Sequence, residues 1–200
     1  MNTTPRFIAA LALASAFVST AANAADSSAY FRVDAGPVVV RDISADPVTK
    51  LKTKTGVGFC AVGGFKLTEN VALELESGYQ YSELDKLKVG SSNFTISGHT
   101  SVVPILVNGV LSGKLSESIS ANVGAGIGAA VTTLNAKVSV LSTSENYACL
   151  MAQFKTGLEF KVSERVSTNL SYRLGLVDGD PMDSGTVVTH MVTAGVGFKF

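Results

Sequence analysis

From residue 30 onward the chain alternates apolar and polar side chains with period two, and helical periodicity is almost absent. Successive side chains of a strand point to opposite faces, so this alternation predicts strands with one apolar face. The clearest stretch is 148–162. Ala148, Leu150, Ala152, Phe154, Thr156, Leu158, Phe160 and Val162 share one face, and Cys149, Met151, Gln153, Lys155, Gly157, Glu159 and Lys161 share the other. Residues 166–176 repeat the pattern, with Val166, Thr168, Leu170, Tyr172, Leu174 and Leu176 alternating with Ser167, Asn169, Ser171, Arg173 and Gly175. Residues 119–131 set Ile119, Ala121, Val123, Ala125, Ile127 and Val131 against Ser120, Asn122, Gly124, Gly126 and Gly128. Similar alternation over 30–40, 56–67, 71–81, 97–111 and 186–200 completes a set of eight strands. Most exceed the ~5–6 residues of a soluble strand and match the ~9–11 that a tilted strand needs to cross a bilayer.

The connections alternate in length. Short ones are predicted at 68–70, 112–118 and 163–165, and longer polar ones at 41–54, 82–96, 132–146 and 177–185. Short periplasmic turns and long outer loops are the layout of an outer-membrane barrel, and an even strand number puts both termini on the periplasmic side. Each short turn carries one copy of a repeat: Lys66-Leu-Thr-Glu-Asn-Val-Ala, Lys114-Leu-Ser-Glu-Ser-Ile-Ser and Lys161-Val-Ser-Glu-Arg-Val-Ser. The intervals of 48 and 47 residues equal two strands plus a loop, which reads as barrel modularity rather than a solenoid.

Composition supports a membrane setting. Only 16% of residues are charged and 46% are hydrophobic, with a mean hydropathy of +0.31. No run of eighteen apolar residues follows the N-terminus, which excludes a helical membrane protein. Residues 1–24 read as a cleaved signal peptide: Arg6, an apolar run from Phe7 to Val18, and Ala22-Asn23-Ala24 as cleavage site, leaving 25–200 as one barrel domain. Basic and acidic residues number 16 each, which argues against a nucleic-acid partner.

The second face of the strands carries the charge. Arg32, Asp34, Glu74, Glu76, Lys155, Glu159 and Arg173 are predicted to point into the lumen as a charge network, with Gln80, Asn122, Gln153 and Asn169. An eight-stranded barrel is just wide enough to be filled by such side chains. A secreted sandwich would also alternate, but with shorter strands and without an apolar face on every one. Aromatics fall where interfacial girdles belong: Phe65, Phe160, Phe198 and Phe200 at the periplasmic ends, and Tyr79, Tyr81 and Tyr147 near the outer ends.

The C-terminal run Thr193-Ala-Gly195-Val-Gly-Phe198-Lys-Phe200 resembles the recognition signal of outer-membrane barrels: polar, x, Gly, x, x, aromatic, x, terminal phenylalanine. With the repeated turns, it makes 25–200 similar to the opacity-protein and OmpX/OmpA-type family. The resemblance implies an all-β fold, an eight-stranded antiparallel up-and-down transmembrane β-barrel. It implies as partners outer-membrane lipid and lipopolysaccharide, periplasmic chaperones and the barrel-assembly machinery, with Thr193, Gly195, Phe198 and Phe200 as assembly signal. It also implies a monomer whose four outer loops serve surface interaction, adhesion or envelope structure. A narrow channel or conduit for small or apolar solutes is the alternative.

Enzymatic chemistry finds little support. Glu74 and Glu76 share a face, as a general acid/base pair would, but the basic residues on the same face read them as ion-pair partners. His99-Thr-Ser101 resembles the His-x-Ser of outer-membrane lipid A deacylases, yet the next acid along the chain is Glu117, beyond the following turn. His190 reads as an interfacial polar residue. No cofactor or metal motif stands out. Cys60 and Cys149 fall on strands expected at opposite sides of the barrel, too far apart for the ~7 Å limit of a disulfide.

Overall fold

The computed structural model describes residues 29–41, 43–44, 49–90, 92–138, 141–178 and 186–200. The stretch read as a signal peptide lies outside the described residues. The elements are β1 (Ala29–Val40), β2 (Ile43–Ser44), β3 (Thr49–Thr53), β4 (Gly56–Lys66), β5 (Val71–Val89), β6 (Ser92–Thr95), β7 (Ser97–Lys114), β8 (Ile119–Val138), β9 (Leu141–Lys161), β10 (Val166–Asp178) and β11 (Val187–Lys199). Eight of them pair antiparallel in chain order, β1-β4-β5-β7-β8-β9-β10-β11. β11 returns to β1, with Phe31 opposite Phe198, so the barrel closes and has no free edge. Closure leaves no barrel strand as an open edge, which hydrocarbon requires.

Alternation holds on every barrel strand. Val33, Phe59, Leu73, Ile105, Ile127, Leu150, Leu170 and Val192, one from each, stand exposed on the outer wall. The three repeats build three matching turns. In the first, Leu67 and Thr68 N–H both donate to Val71 O, while Thr68 Oγ1 accepts from the N–H of Asn70 and Val71. Ser116 and Ser163 take the place of Thr68 in the other two, with the same bonds. The Ser/Thr of the repeat is therefore a turn-former that competes for backbone groups a ladder cannot serve.

The structure corrects the sequence reading at the outer end. Much of the sequence read as loops at 41–54, 82–96 and 132–146 is strand: β5 runs to Val89, β7 starts at Ser97, β8 reaches Val138 and β9 starts at Leu141. β2, β3 and β6 add to the upper part of β5 as a small sheet beyond the barrel wall. At the opposite end β7 continues to Lys114, so that turn holds four residues, 115–118, not seven.

The lumen also differs. Its outer half holds a buried apolar cluster, Val102, Leu106, Ala130, Cys149, Met151 and Val177, beside the buried polar Gln80, Ser82, Thr100 and Thr189. Tyr147 packs against this cluster and so does not belong to the outer aromatic girdle. It has the parity of Cys149 and Met151, which points inward. An eight-stranded interior is a packed core, and apolar layers fill it as well as polar ones. Cys60 and Cys149 are both buried, and no disulfide joins them.

Candidate functional site

The midsection of the lumen is built from inward positions of β1, β5, β7, β9, β10 and β11. Glu74 and Glu76 come from β5, and Arg32 and Asp34 from β1, each pair two residues apart on one face. Lys155 and Arg173 sit directly opposite each other on β9 and β10. Two cations in that position repel unless an anion lies between them. Glu76 supplies it: Oε2 accepts from Lys155 Nζ at 3.2 Å and Oε1 from Arg173 Nε at 3.2 Å.

From these two contacts the charges close into a ring of alternating sign. Lys155 Nζ also donates to Glu74 Oε2, and Arg173 Nη2 donates to Asp34 Oδ2. Arg32 bridges the remaining gap, with Nε 3.1 Å from Asp34 Oδ2 and Nη1 3.7 Å from Glu74 Oε1. Three cations thus alternate with three carboxylates, all buried. Neutral donors add a further bond to each carboxylate. Tyr30 Oη donates to Glu74 at 2.5 Å, and Asn169 Nδ2 to Asp34 Oδ1 at 2.8 Å. Asn108 and Gln153 donate to Glu76 at 3.4 and 3.2 Å. A buried ion pair offsets its desolvation only when such extra bonds are present.

Six of the seven residues expected in a lumen network meet in this ring. Glu159 does not. It pairs with Lys199 at 2.5 Å, half-buried toward the turn end, because it lies four residues nearer that end of β9 than Lys155. Tyr30, Asn108 and Thr193 join the network and were not expected there. For Tyr30 the signal was parity, since it shares a face with Arg32 and Asp34.

The C-terminal residues divide by parity. Thr193 is buried and accepts from Arg173 Nη1. Gly195 lies opposite Asp34, and a Cβ there would fall 2.0 Å from Asp34 Oδ1. Phe198 and Phe200 stay exposed on the outer wall. Half of the expected assembly signal therefore also belongs to the ring. Glycines opposite the ring make room for its longer members: a Cβ at Gly126 would meet Asn108 Oδ1 at 2.1 Å, and one at Gly124 would meet Lys155 Cε at 3.3 Å.

His99 is held by an amide and an aromatic ring. Its Nε2 meets the Asn135 amide at 3.0 Å, and its ring stacks on Tyr81 at 5.2 Å between centroids. Glu83 lies opposite His99 on the preceding strand, an acid that reading forward along the chain overlooks. Its carboxylate is engaged by Lys54 Nζ at 3.0 Å. His190 Nδ1 is 2.7 Å from Tyr172 Oη on the outer wall.

Comparison with solved structures places this geometry among outer-membrane barrels. Neisserial surface protein A superposes with a TM-score of 0.61 at 12% identity, covering 86% of this chain and 97% of that one. OprG from Pseudomonas aeruginosa gives 0.57 at 11%, covering 87% and 97%. Ail, the attachment invasion locus protein of Yersinia pestis, solved in complex with the heparin analogue sucrose octasulfate, gives 0.54 at 16%, covering 86% and 99%. No curated protein matches in sequence. The family model for the outer membrane protein beta-barrel domain matches residues 8–200. The chain therefore belongs to that family and is an integral protein of the outer membrane.

Proposed function

We propose that this protein is a non-enzymatic barrel whose role in surface interaction or envelope structure is carried by its outer segments, while its lumen stays closed to solutes. The observation that carries this reading is the lumen itself. A neutralised ring of six charges spans its middle, and an apolar cluster with Leu106 and Met151 lies directly beyond it. A conducting path needs water beside the charges, whereas here protein groups occupy their bonding positions. The test is planar-bilayer conductance of the mature chain refolded from denaturant. The expected result is no stable single-channel openings. Large, steady currents would reject the closed lumen and favour a narrow channel.

A second proposal concerns assembly. Phe200 is 44% exposed on the lipid side, so its burial in lipid adds at most ~2–3 kcal/mol. The terminal pattern supports a larger role as a signal to the assembly machinery. Deleting Phe200 should lower outer-membrane levels in cells severalfold while leaving refolding in detergent intact. Unchanged surface levels would remove the signal role.

A further inference from the structure

The three turn repeats share more than a turn. Each is entered by a strand descending toward the periplasm, and these strands end on Phe65-Lys66-Leu67, Gly113-Lys114-Leu115 and Phe160-Lys161-Val162. The chain itself ends on Phe198-Lys199-Phe200 at the foot of β11, which runs the same way. Backbone groups and the Ser/Thr hydroxyls make the turn bonds. No turn follows β11, yet it keeps all three residues, so turn formation does not require them.

Lipid does not require this distribution either, because an interfacial girdle depends on depth and not on chain direction. At equal depth the ascending strands carry Leu73 opposite Phe65, Ala121 opposite Gly113, Thr168 opposite Phe160 and Phe31 opposite Phe198. Opposite Lys66, Lys114, Lys161 and Lys199 they carry Ala72, Ser120, Ser167 and Tyr30. Every descending end has the lysine and no ascending start has it. The aromatic is on all descending ends but that of β7, and on the ascending starts only at Phe31. A partner that pairs with a strand in one direction tells the two sets apart.

β9 carries the fullest copy. Thr193, Gly195, Phe198 and Phe200 correspond to Lys155, Gly157, Phe160 and Val162: polar, x, Gly, x, x, aromatic, x, apolar. β4 has Val62 at the glycine position, and β7 has Val110 there and Gly113 at the aromatic one. The match extends to packing. Thr193 and Lys155 are buried in the lumen, while Phe198 and Phe160 are exposed on the wall. Both glycines lie close against the next strand: a Cβ at Gly195 would fall 2.3 Å from Val33 O, and one at Gly157 2.6 Å from Leu170 O. The edge concerned is covered by β1 on β11 and by β10 on β9. Until β10 pairs, that edge of β9 is open to strand addition, in which backbone bonds give affinity and alternate side chains give specificity. Resting on the reading of the C-terminal pattern as an assembly signal, we infer that Lys155, Gly157, Phe160 and Val162 form a second, internal docking site for the assembly machinery, used before β10 closes on β9.

The experiment assembles the full mature chain with purified assembly machinery in proteoliposomes, with synthetic peptides as competitors. Peptides spanning 154–162 and 192–200 should each slow assembly. A scrambled 154–162 peptide, and one spanning 166–174 from the ascending strand, should not. Slowing by 192–200 but not by 154–162 would overturn the inference and leave the terminal signal standing. Slowing by neither would overturn both, and slowing by the scrambled or ascending peptide would overturn the directional reading. In cells, Phe160→Ala should lower outer-membrane levels about fivefold, as truncating an aromatic anchor of an interface does, and Phe160→Tyr should restore them. Phe154→Ala is the control, since Phe154 is exposed on the same wall of β9 and lies outside the pattern. Both alanine variants should refold in detergent with equal stability. Equal loss of surface level in the two, or a loss for Phe160→Ala matched by instability in detergent, would assign Phe160 to lipid contact and overturn the inference.

Discussion

Replacing Glu76 with alanine should destabilise the refolded barrel by roughly 3–5 kcal/mol, the cost of breaking a buried ion pair by removing one member. Glu76 accepts from Lys155, Arg173, Asn108 and Gln153. Its removal leaves the Cα-opposed pair Lys155 and Arg173 without the carboxylate between them. Glu74 and Asp34 keep one contact with each cation, so the ring breaks at one point and does not dissolve. Glu83→Ala is the control. Its partner Lys54 is exposed, and an exposed pair contributes about 0–1 kcal/mol. Urea unfolding in detergent, followed by the gel shift of heated against unheated protein, measures both. Equal, small losses in the two variants would mean that water reaches the ring, and the closed lumen would fall with it.

The fold was legible because lipid imposes one rule on every strand. Parity alone assigned Val33, Ile105, Leu170 and their equivalents to the outer wall. Parity also brought Arg32, Asp34, Glu74, Glu76, Lys155 and Arg173 to one lumen. It could not give their height, which depends on stagger around the barrel, and so Glu159 was placed with them when it belongs with Lys199. Outer-half packing was missed for a related reason: Val102, Leu106 and Met151 are as apolar as the residues facing lipid. The outer strands escaped because polar, lysine-rich segments read as loops. Their strand structure rests on the pairing around β5 and on the apolar contacts of Leu51, Leu84, Ile96 and Leu134, positions far apart in the chain. A bulge at Asp85, where the register of β3 against β5 shifts, added a second obstacle, since it interrupts the alternation from which strands are read.

Gly195→Val should prevent the barrel from reaching its native stability even in detergent, where no assembly machinery acts. Gly195 faces Asp34 across the β1–β11 seam that closes the barrel. A Cβ there would lie 2.0 Å from Asp34 Oδ1 and 2.3 Å from Val33 O. The carbonyl belongs to the backbone of a paired strand and cannot swing away. Asp34 would have to move, and with it its contacts to Arg173, Arg32 and Asn169. Overpacking of this kind costs ~1–3 kcal/mol, and a broken buried pair ~3–5 kcal/mol. The two overlap, so a loss of about 4 kcal/mol is expected. Gly113→Val serves as the matched control, because nothing lies within 4 Å of a Cβ at that position. The contrast with the Phe200 deletion separates the two halves of the C-terminal pattern. The deletion should fail in cells and succeed in detergent, whereas Gly195→Val should fail in both. A Gly195→Val protein that refolds in detergent with unaltered stability would show that the seam accommodates the side chain, and would assign the glycine to recognition alone.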